Sequence, residues 1–324
     1  MLPVVRLSVP TPYPVGPVNC YLVKAKPYTL VDPGPNTEAA REALVKGLAA
    51  AGTDLERIER VVVTHGHSDH ASLAPWVQSR SGAVVFAHPF EFPKLTGGFD
   101  IWREVDPFLR AGGMPEKVLA YLRATVDPVP ATRTAPGAVS PLLGGERLTF
   151  DDLVLEVLHL PGHAVGHLGL FDRRGGDFLS GDFLLPDITP NPVMEPDPQN
   201  AGKRAKTLRQ YLASLDRASA LGARRVWPGH GRPFADVAAT IDRIREHHAK
   251  RLSHILSFVG EDWLTPYQIT GRVYPALDDF NVFLGFSEVV GHLDLLQERG
   301  CVLRRVDGGV CYFRRAPLAA TKAG

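Results

Sequence analysis

The 324-residue chain reads as an α/β protein with a smaller, mainly helical domain at its C-terminal end. Three observations predict this. Strand-like and helix-like segments alternate through the first two thirds of the chain, the ordering of an α/β fold. Ligand-type side chains recur where apolar strands run into turns, which is where open α/β sheets collect function. Beyond about Pro233 the strand pattern gives way to three helical segments and a hairpin.

Taken in order, VVRLSV, NCYLV and YTLVDPG are short apolar runs punctuated by Pro and Gly, strands of a meander that turns at Asp32-Pro33-Gly34. Residues 37–51 place Ala40, Leu44, Leu48 and Ala51 on one helical face, with Asn36 or Thr37 as cap and Gly52 as terminator. IERVVVT follows as a buried strand, then a helix from Ala71 to Arg80 and the strand AVVFAH. Residues 89–141 are rich in Pro, Gly and aromatics and read as an insertion, with one helix in PEKVLAYLRATV on the stripe Val118, Leu119, Leu122 and Val126. ERLTF, LVLEVLHL, HLGLF and DFLSGDF restore the strand pattern before a Pro-rich loop from Pro186 to Asn200. A helix from Lys203 to Leu221 and the strand and turn ARRVWPGHG close this part. A long helix over 236–259 carries Ile241, Ile244, His248, Leu252, Ile255 and Val259 at helical spacing. TPYQITGRVY and GFSEVVGHLDLLQERG are two more helices, and CVLRRVDGGVCYFRR turns at Asp307-Gly308-Gly309 as a hairpin. Helix, helix, helix, hairpin is the outline of a winged helix. The expected domains are therefore 1–236 and 237–324.

The bulk composition excludes several classes. Apolar residues make up 44% and charged residues 22%, with no apolar run long enough to span a bilayer, so no membrane association is expected. MLPVVRLSVPTPYP has no basic stretch leading into a long apolar one, so a cytoplasmic location is expected. A net charge of +1 carries no global nucleic-acid signal. Cys20, Cys301 and Cys311 are too few for a disulfide framework, although the last two could face each other across the hairpin.

The chemistry concentrates in THGHSDH at 64–70, where three histidines and an aspartate crowd one turn. Three later segments end in the same way: LHLPGH at His163, FLSGD at Asp182 and RRVWPGH at His230. Together they offer His65, His67, Asp69, His70, His163, Asp182 and His230. Five imidazoles and two carboxylates are too many for one tetrahedral zinc and suit two ions sharing a carboxylate.

THGHSDH with PGH at 161–163, SGD at 180–182 and PGH at 228–230 resembles the ligand motifs of the metallo-β-lactamase superfamily, in order, over roughly residues 1–235. The resemblance implies a four-layer αββα sandwich. It also implies one metal on His65, His67 and His163, a second on Asp69, His70 and His230, and Asp182 bridging both. Asp32 resembles the family's structural aspartate, bracing the ligand loop from behind. His167 reads as a hydrogen-bonding residue behind the ligands, and His88 and His159 as structural. His247, His248 and His254 on the long helix read as solvated or packed.

The expected reaction is hydrolysis by a metal-bridging hydroxide, with Asp69 as the catalytic residue that both ligates and orients it. Two divalent ions are expected, zinc first, with iron or manganese also compatible. The motif set resembles the glyoxalase II-like and lactamase-β-like-protein-2 branch more than the antibiotic-hydrolysing enzymes. A small ester or thioester is the expected substrate. The alternative is an endoribonuclease using the C-terminal domain to hold RNA. The helix from Gly285 opposes nucleic acid, with Glu288, Asp294 and Glu298 against Arg299, whereas Arg304, Arg305, Arg314 and Arg315 on the hairpin favour it. Packing or homo-oligomerisation is the other role open to that domain. The aromatics Phe92, Phe99, Trp102, Phe108 and Tyr121 suit either a substrate wall or a core.

Overall fold

The computed structural model describes residues 2–124, 139–277 and 281–317. Val126 and residues 125–138 of the expected insertion lie outside the described residues. The described residues of 1–100, 127–190 and 210–244 form one compact unit, and those of 101–126, 191–209 and 245–324 form a second. Two segments therefore depart from the expected division at residue 236. The stretch from Ile101 and the one from Asn191 to Arg209 belong with the C-terminal residues, so the former is not an insertion standing alone.

The strands are β1 (Val4–Val9), β2 (Val18–Val23), β3 (Thr29–Val31), β4 (Arg60–Val62), β5 (Val84–Ala87), β6 (Val139–Pro141), β7 (Arg147–Thr149), β8 (Val154–His159), β9 (Leu168–Asp172), β10 (Asp177–Gly181), β11 (Arg225–Pro228), β12 (Val302–Asp307) and β13 (Val310–Arg315). The helices are α1 (Glu38–Ala50), α2 (Ser68–Ala71), α3 (Ala74–Ser81), α4 (Phe92–Thr96), α5 (Ile101–Ala111), α6 (Glu116–Ala124), α7 (Thr207–Ser219), α8 (Val237–Ser257), α9 (Pro266–Val273) and α10 (Asn281–Glu298).

In the first unit, β1 to β6 form a six-stranded sheet in chain order, antiparallel to β3 and parallel from β3 onward. A five-stranded sheet runs β11-β10-β9-β8-β7, with β10 and β11 parallel. Strand alternation explains the layering. Tyr21, Val23, Val31 and Val62 turn inward to meet Leu155, Val157, Leu168, Leu170 and Leu179 of the other sheet. Their neighbours Leu22, Leu30, Val61 and Val63 turn outward onto Ala40, Leu44 and Leu48 of α1 and Val77 of α3. On the far side Phe171, Phe178 and Val226 meet Tyr211 and Leu215 of α7 and Ile241 and Ile244 of α8. The result is helix, sheet, sheet, helix. Leu22, Leu44 and Leu48 are wholly buried, each contributing about 1.5–3 kcal/mol of transfer free energy. The cap of α1 is Thr37, whose hydroxyl accepts from the Ala40 N–H at 3.2 Å.

In the second unit Val105, Leu109, Leu119, Leu122, Phe283, Phe286 and Val290 bring α5, α6 and α10 around one apolar core. Trp102 meets Phe283 edge-on at 5.6 Å, and Phe108 packs beside them. These two aromatics are core residues. Phe92 packs on the outer core of the first unit, Phe99 lies 5.6 Å from the Lys94 ammonium, and Tyr121 is exposed. α5 escaped the sequence reading because Pro107 sits inside it. The helix, helix, helix, hairpin order is present: α9 starts on a capping box of Thr265 and Gln268, and β12 and β13 pair antiparallel. Cys311 pairs in register with Val306, so Cys301 does not face it, and all three cysteines are free.

The acidic residues of α10 differ from expectation. Glu288 pairs with Arg251 at 3.0 Å, Asp294 with Arg204 and Lys206 at 2.5 and 2.7 Å, and Glu298 with Arg209 at 3.5 Å. Their charge is offset by basic residues of the same unit. Among the described residues, no helix is long and apolar enough to cross a membrane.

Candidate metal centre

All seven predicted ligands converge in the first unit. Val61, Val62 and Val63 are buried without exception, so β4 delivers the chain to the rim of its sheet, where Thr64 to His67 form a turn and α2 carries Asp69 and His70. His163 follows β8, Asp182 follows β10 and His230 follows β11, so the second sheet supplies the remaining three. Gly229 lets that last turn close in. A Cβ there would stand 2.1 Å from Asp182 Oδ1 and 2.8 Å from the His70 ring.

The ligand atoms fall into groups. His65 Nε2 and His163 Nε2 each lie 3.0 Å from His67 Nδ1. His230 Nε2 lies 3.2 Å from Asp69 Oδ2 and 3.3 Å from His70 Nε2. Within each group every ligand atom is within 4.8 Å of the others, and His65, His70 and Asp182 form a third such group that joins the two. Asp182 lies between them, with Oδ1 3.4 Å from His70 Nε2 and Oδ2 3.7 and 3.6 Å from His163 and His230 Nε2.

Partners behind the rings fix which nitrogen faces inward. The Thr64 hydroxyl sits 3.0 Å from His65 Nδ1 and donates to Asp32 Oδ2 at 2.7 Å. Asp32 Oδ2 also accepts from His70 Nδ1 at 2.9 Å, while Oδ1 accepts from the Thr64 N–H at 2.7 Å. The Pro17 carbonyl accepts from His230 Nδ1 at 3.0 Å. In each ring this leaves Nε2 free to coordinate. Asp32 adopts φ of 53°, a left-handed conformation that Asp tolerates better than most residues. The structure thus gives the aspartate of TLVDPG three acceptor contacts, one bracing His70 directly and two holding Thr64, whose hydroxyl in turn meets His65.

The electrostatics divide the groups. Burial, followed by the neighbouring histidines, holds His65 and His67 well below the usual imidazole range, so both present neutral lone pairs. Burial opposes charge on His70 and His230 too, but Asp182 and Asp69 outweigh it and push both up. Burial raises the Asp182 and Asp69 carboxyls, yet the facing histidines overcome it and keep both ionised. Asp182 Oδ1 is buried with no hydrogen-bond donor. An orphaned carboxylate oxygen among converging imidazole nitrogens fits a divalent cation.

Other predictions fare differently. His167 is wholly buried and stacks on His65 at 5.1 Å, but neither of its ring nitrogens makes a hydrogen bond, contrary to the expectation for it. It packs the ligand ring rather than orienting it. His88 and His159 stack on each other at 4.1 Å behind the site. In the second unit His248 is buried 3.4 Å from His292, a packed histidine as expected. Sequence reasoning missed Thr64, which acts through its hydroxyl as well as its N–H, and Pro17 and Glu91, whose contacts run through backbone groups that no residue pattern announces.

The model of the metallo-beta-lactamase superfamily matches residues 13–230. The chain is 34% identical to the probable metallo-hydrolase YqjP of Bacillus subtilis, over 96% of this chain and 97% of that one. It is 26% identical to the hydroxyacylglutathione hydrolase GloC of Haemophilus influenzae, over 52% of this chain and 66% of that one. The crystal structure of the metallo-beta-lactamase family protein TTHA1429 from Thermus thermophilus superposes with a TM-score of 0.78 at 32% identity, covering 97% of this chain and 99% of that one. With the αββα layers and the converged ligand set, these matches show that the chain is a hydrolase belonging to the metallo-β-lactamase superfamily.

Proposed function

We propose that the protein is a binuclear metallohydrolase of small esters or thioesters, with two divalent cations, zinc first. The observation that carries this reading is Asp182, whose two carboxylate oxygens face both ligand groups at 3.4–3.7 Å. His65, His67 and His163 would hold one cation, and Asp69, His70 and His230 the other, with Asp182 shared. Such a pair supplies Lewis acidity to the scissile carbonyl and lowers the pKa of water toward neutrality. Asp69, ionised and 8% exposed, would take a hydrogen bond from the attacking water and fix its direction. Thioester cleavage is supported by the likeness to hydroxyacylglutathione hydrolase GloC.

One observation favours phosphodiester hydrolysis as a second reading. On the C-terminal hairpin Arg305 and Arg314 stack on Trp263 at 4.7 and 4.8 Å, and Arg304 and Arg305 are exposed. Guanidinium groups so held keep edges available to a phosphate chain. Arg315 is not part of this face, since it caps the carbonyls of Val259 and Leu256. The same observation, with the element order, supports reading that part of the chain as a winged helix.

The deciding experiment loads the full-length protein with zinc, manganese or iron. Thioester, lactone, phosphodiester and single-stranded RNA substrates are then compared, with His65→Ala/His67→Ala as control. Metal-dependent thioester or lactone turnover, lost in the control, supports the first reading. Turnover that survives the loss of both histidines sinks the metal assignment. RNA cleavage lost on replacing Arg304, Arg305 and Arg314 by Ala favours the second.

A further inference from the structure

Glu91 is a wholly buried carboxylate that belongs to no ligand group. It lies in the turn after β5, just ahead of α4. Its two oxygens reach two different ligand turns. Oε2 accepts from the Gly66 N–H at 2.9 Å, and Oε1 accepts from the Gly166 N–H at 2.7 Å. Lys94, one turn along and partly buried, completes the set at 2.7 Å from Oε2. Gly66 stands between His65 and His67 on the rim of the first sheet, and Gly166 stands in the PGHAVGH turn of the second, three residues after His163.

The two glycines carry independent marks of this contact. A Cβ on Gly66 would lie 2.8 Å from Glu91 Oε2, and one on Gly166 would lie 2.8 Å from Glu91 Oε1. Both turns are therefore shaped around the carboxylate. Burying a carboxylate costs several kcal/mol unless it is paired and hydrogen-bonded, and here it is both. Burial pushes this carboxyl up, but Lys94 and the two N–H groups outweigh it and hold it below the usual range.

We propose that Glu91 is a positioning residue for the three-histidine group, setting the separation between its two halves across the sheets. His65 and His67 come from one sheet and His163 from the other, and one carboxylate ties both turns through backbone N–H groups. The other group is held by different means, His70 by Asp32 and His230 by the Pro17 carbonyl. Loss of Glu91 should therefore weaken one ion and spare the other. This inference rests on the two-cation reading above.

The test is a competition titration of full-length apoprotein with zinc against a chromophoric chelator, repeated with cobalt to record the visible spectrum of each site. Glu91→Gln preserves size but replaces one acceptor oxygen by an NH2, which must face an N–H or the Lys94 ammonium, donor against donor. The expected result is one of two zinc equivalents weakened about 10–100-fold, the range for residues that orient ligands, together with a change in the visible spectrum of one cobalt equivalent only. If Glu91→Gln does not fold, Gly166→Ala poses the same question, since its methyl would displace Oε1. Equal weakening of both equivalents, or of neither, would overturn the role of Glu91. A wild-type protein that binds a single equivalent would instead overturn the two-cation reading.

Discussion

Asp32→Asn isolates the contribution of one hydrogen-bond direction. Asp32 Oδ2 accepts from His70 Nδ1 and the Thr64 hydroxyl, and Oδ1 accepts from the Thr64 N–H, at 2.7–2.9 Å. Asparagine has nearly the same volume and tolerates the φ of 53° at this position, so neither packing nor backbone changes much. It can satisfy only one side. With its NH2 toward His70, the ring must accept at Nδ1 and carry its proton on Nε2, the atom that faces Asp69, Asp182 and His230. With the amide reversed, the NH2 meets the buried Thr64 N–H. Either way one bond to a charged acceptor is lost, about 1.5–3 kcal/mol. On the two-cation reading that corresponds to roughly 10–100-fold in affinity for an ion held by Asp69, His70 and His230. The assay is zinc competition at neutral pH on folded protein, checked by circular dichroism. Unchanged affinity for both equivalents would refute the argument that Asp32 sets the tautomer of His70.

Two further perturbations test other parts of the chain. In the second unit, burial raises the Glu288 carboxyl, but His247, Tyr274 and Arg251 outweigh it and bring it down to about 2 from an ordinary 4.5. A depressed folded value means the stabilisation is fully present above pH 4.5 and is lost as the pH falls through about 2, amounting to roughly 3 kcal/mol at most. Glu288→Gln should flatten the acid limb of the stability curve in denaturant titrations, and an unchanged limb would count against the pairing. Gly162 has φ of 148°, and a Cβ on it would stand 2.3 Å from Tyr211 Cβ. Gly162→Ala should cost about 2–4 kcal/mol through overpacking and strain, read as a lower denaturant midpoint. An unchanged midpoint would show that the His163 turn has slack the structure does not.

The convergence of the seven His and Asp residues was legible because coordination demands particular side chains at strand ends, and THGHSDH, PGH, SGD and PGH announce both at once. The sandwich was legible because residues such as Val61, Val62 and Val63 are apolar on both faces, as strands covered on both sides must be. What could not be read was anything carried by backbone atoms. Glu91 works through two glycine N–H groups and Pro17 through its carbonyl, and neither leaves a residue pattern. The placement of α5 and α6 with the C-terminal core was hidden for a related reason. Their apolar stripes say that they pack but not on what, and the partner Phe283 lies more than 150 residues away in sequence.

His230, the last ligand in the chain, leans on the first loop. Val18 bridges to it, the Asn19 N–H donates to the Gly229 carbonyl at 2.7 Å and Pro17 holds its ring. During synthesis the centre therefore cannot close in the order its motifs emerge. A nascent chain exposing only the first HxHxDH turn has at most fragments of both groups, and the group of Asp69, His70 and His230 is complete only once residue 230 has left the ribosome and folded back onto the oldest strands. On the two-cation reading, full loading would in this way be tied to completion of the first unit, because its last candidate ligand must fold back onto its first strands.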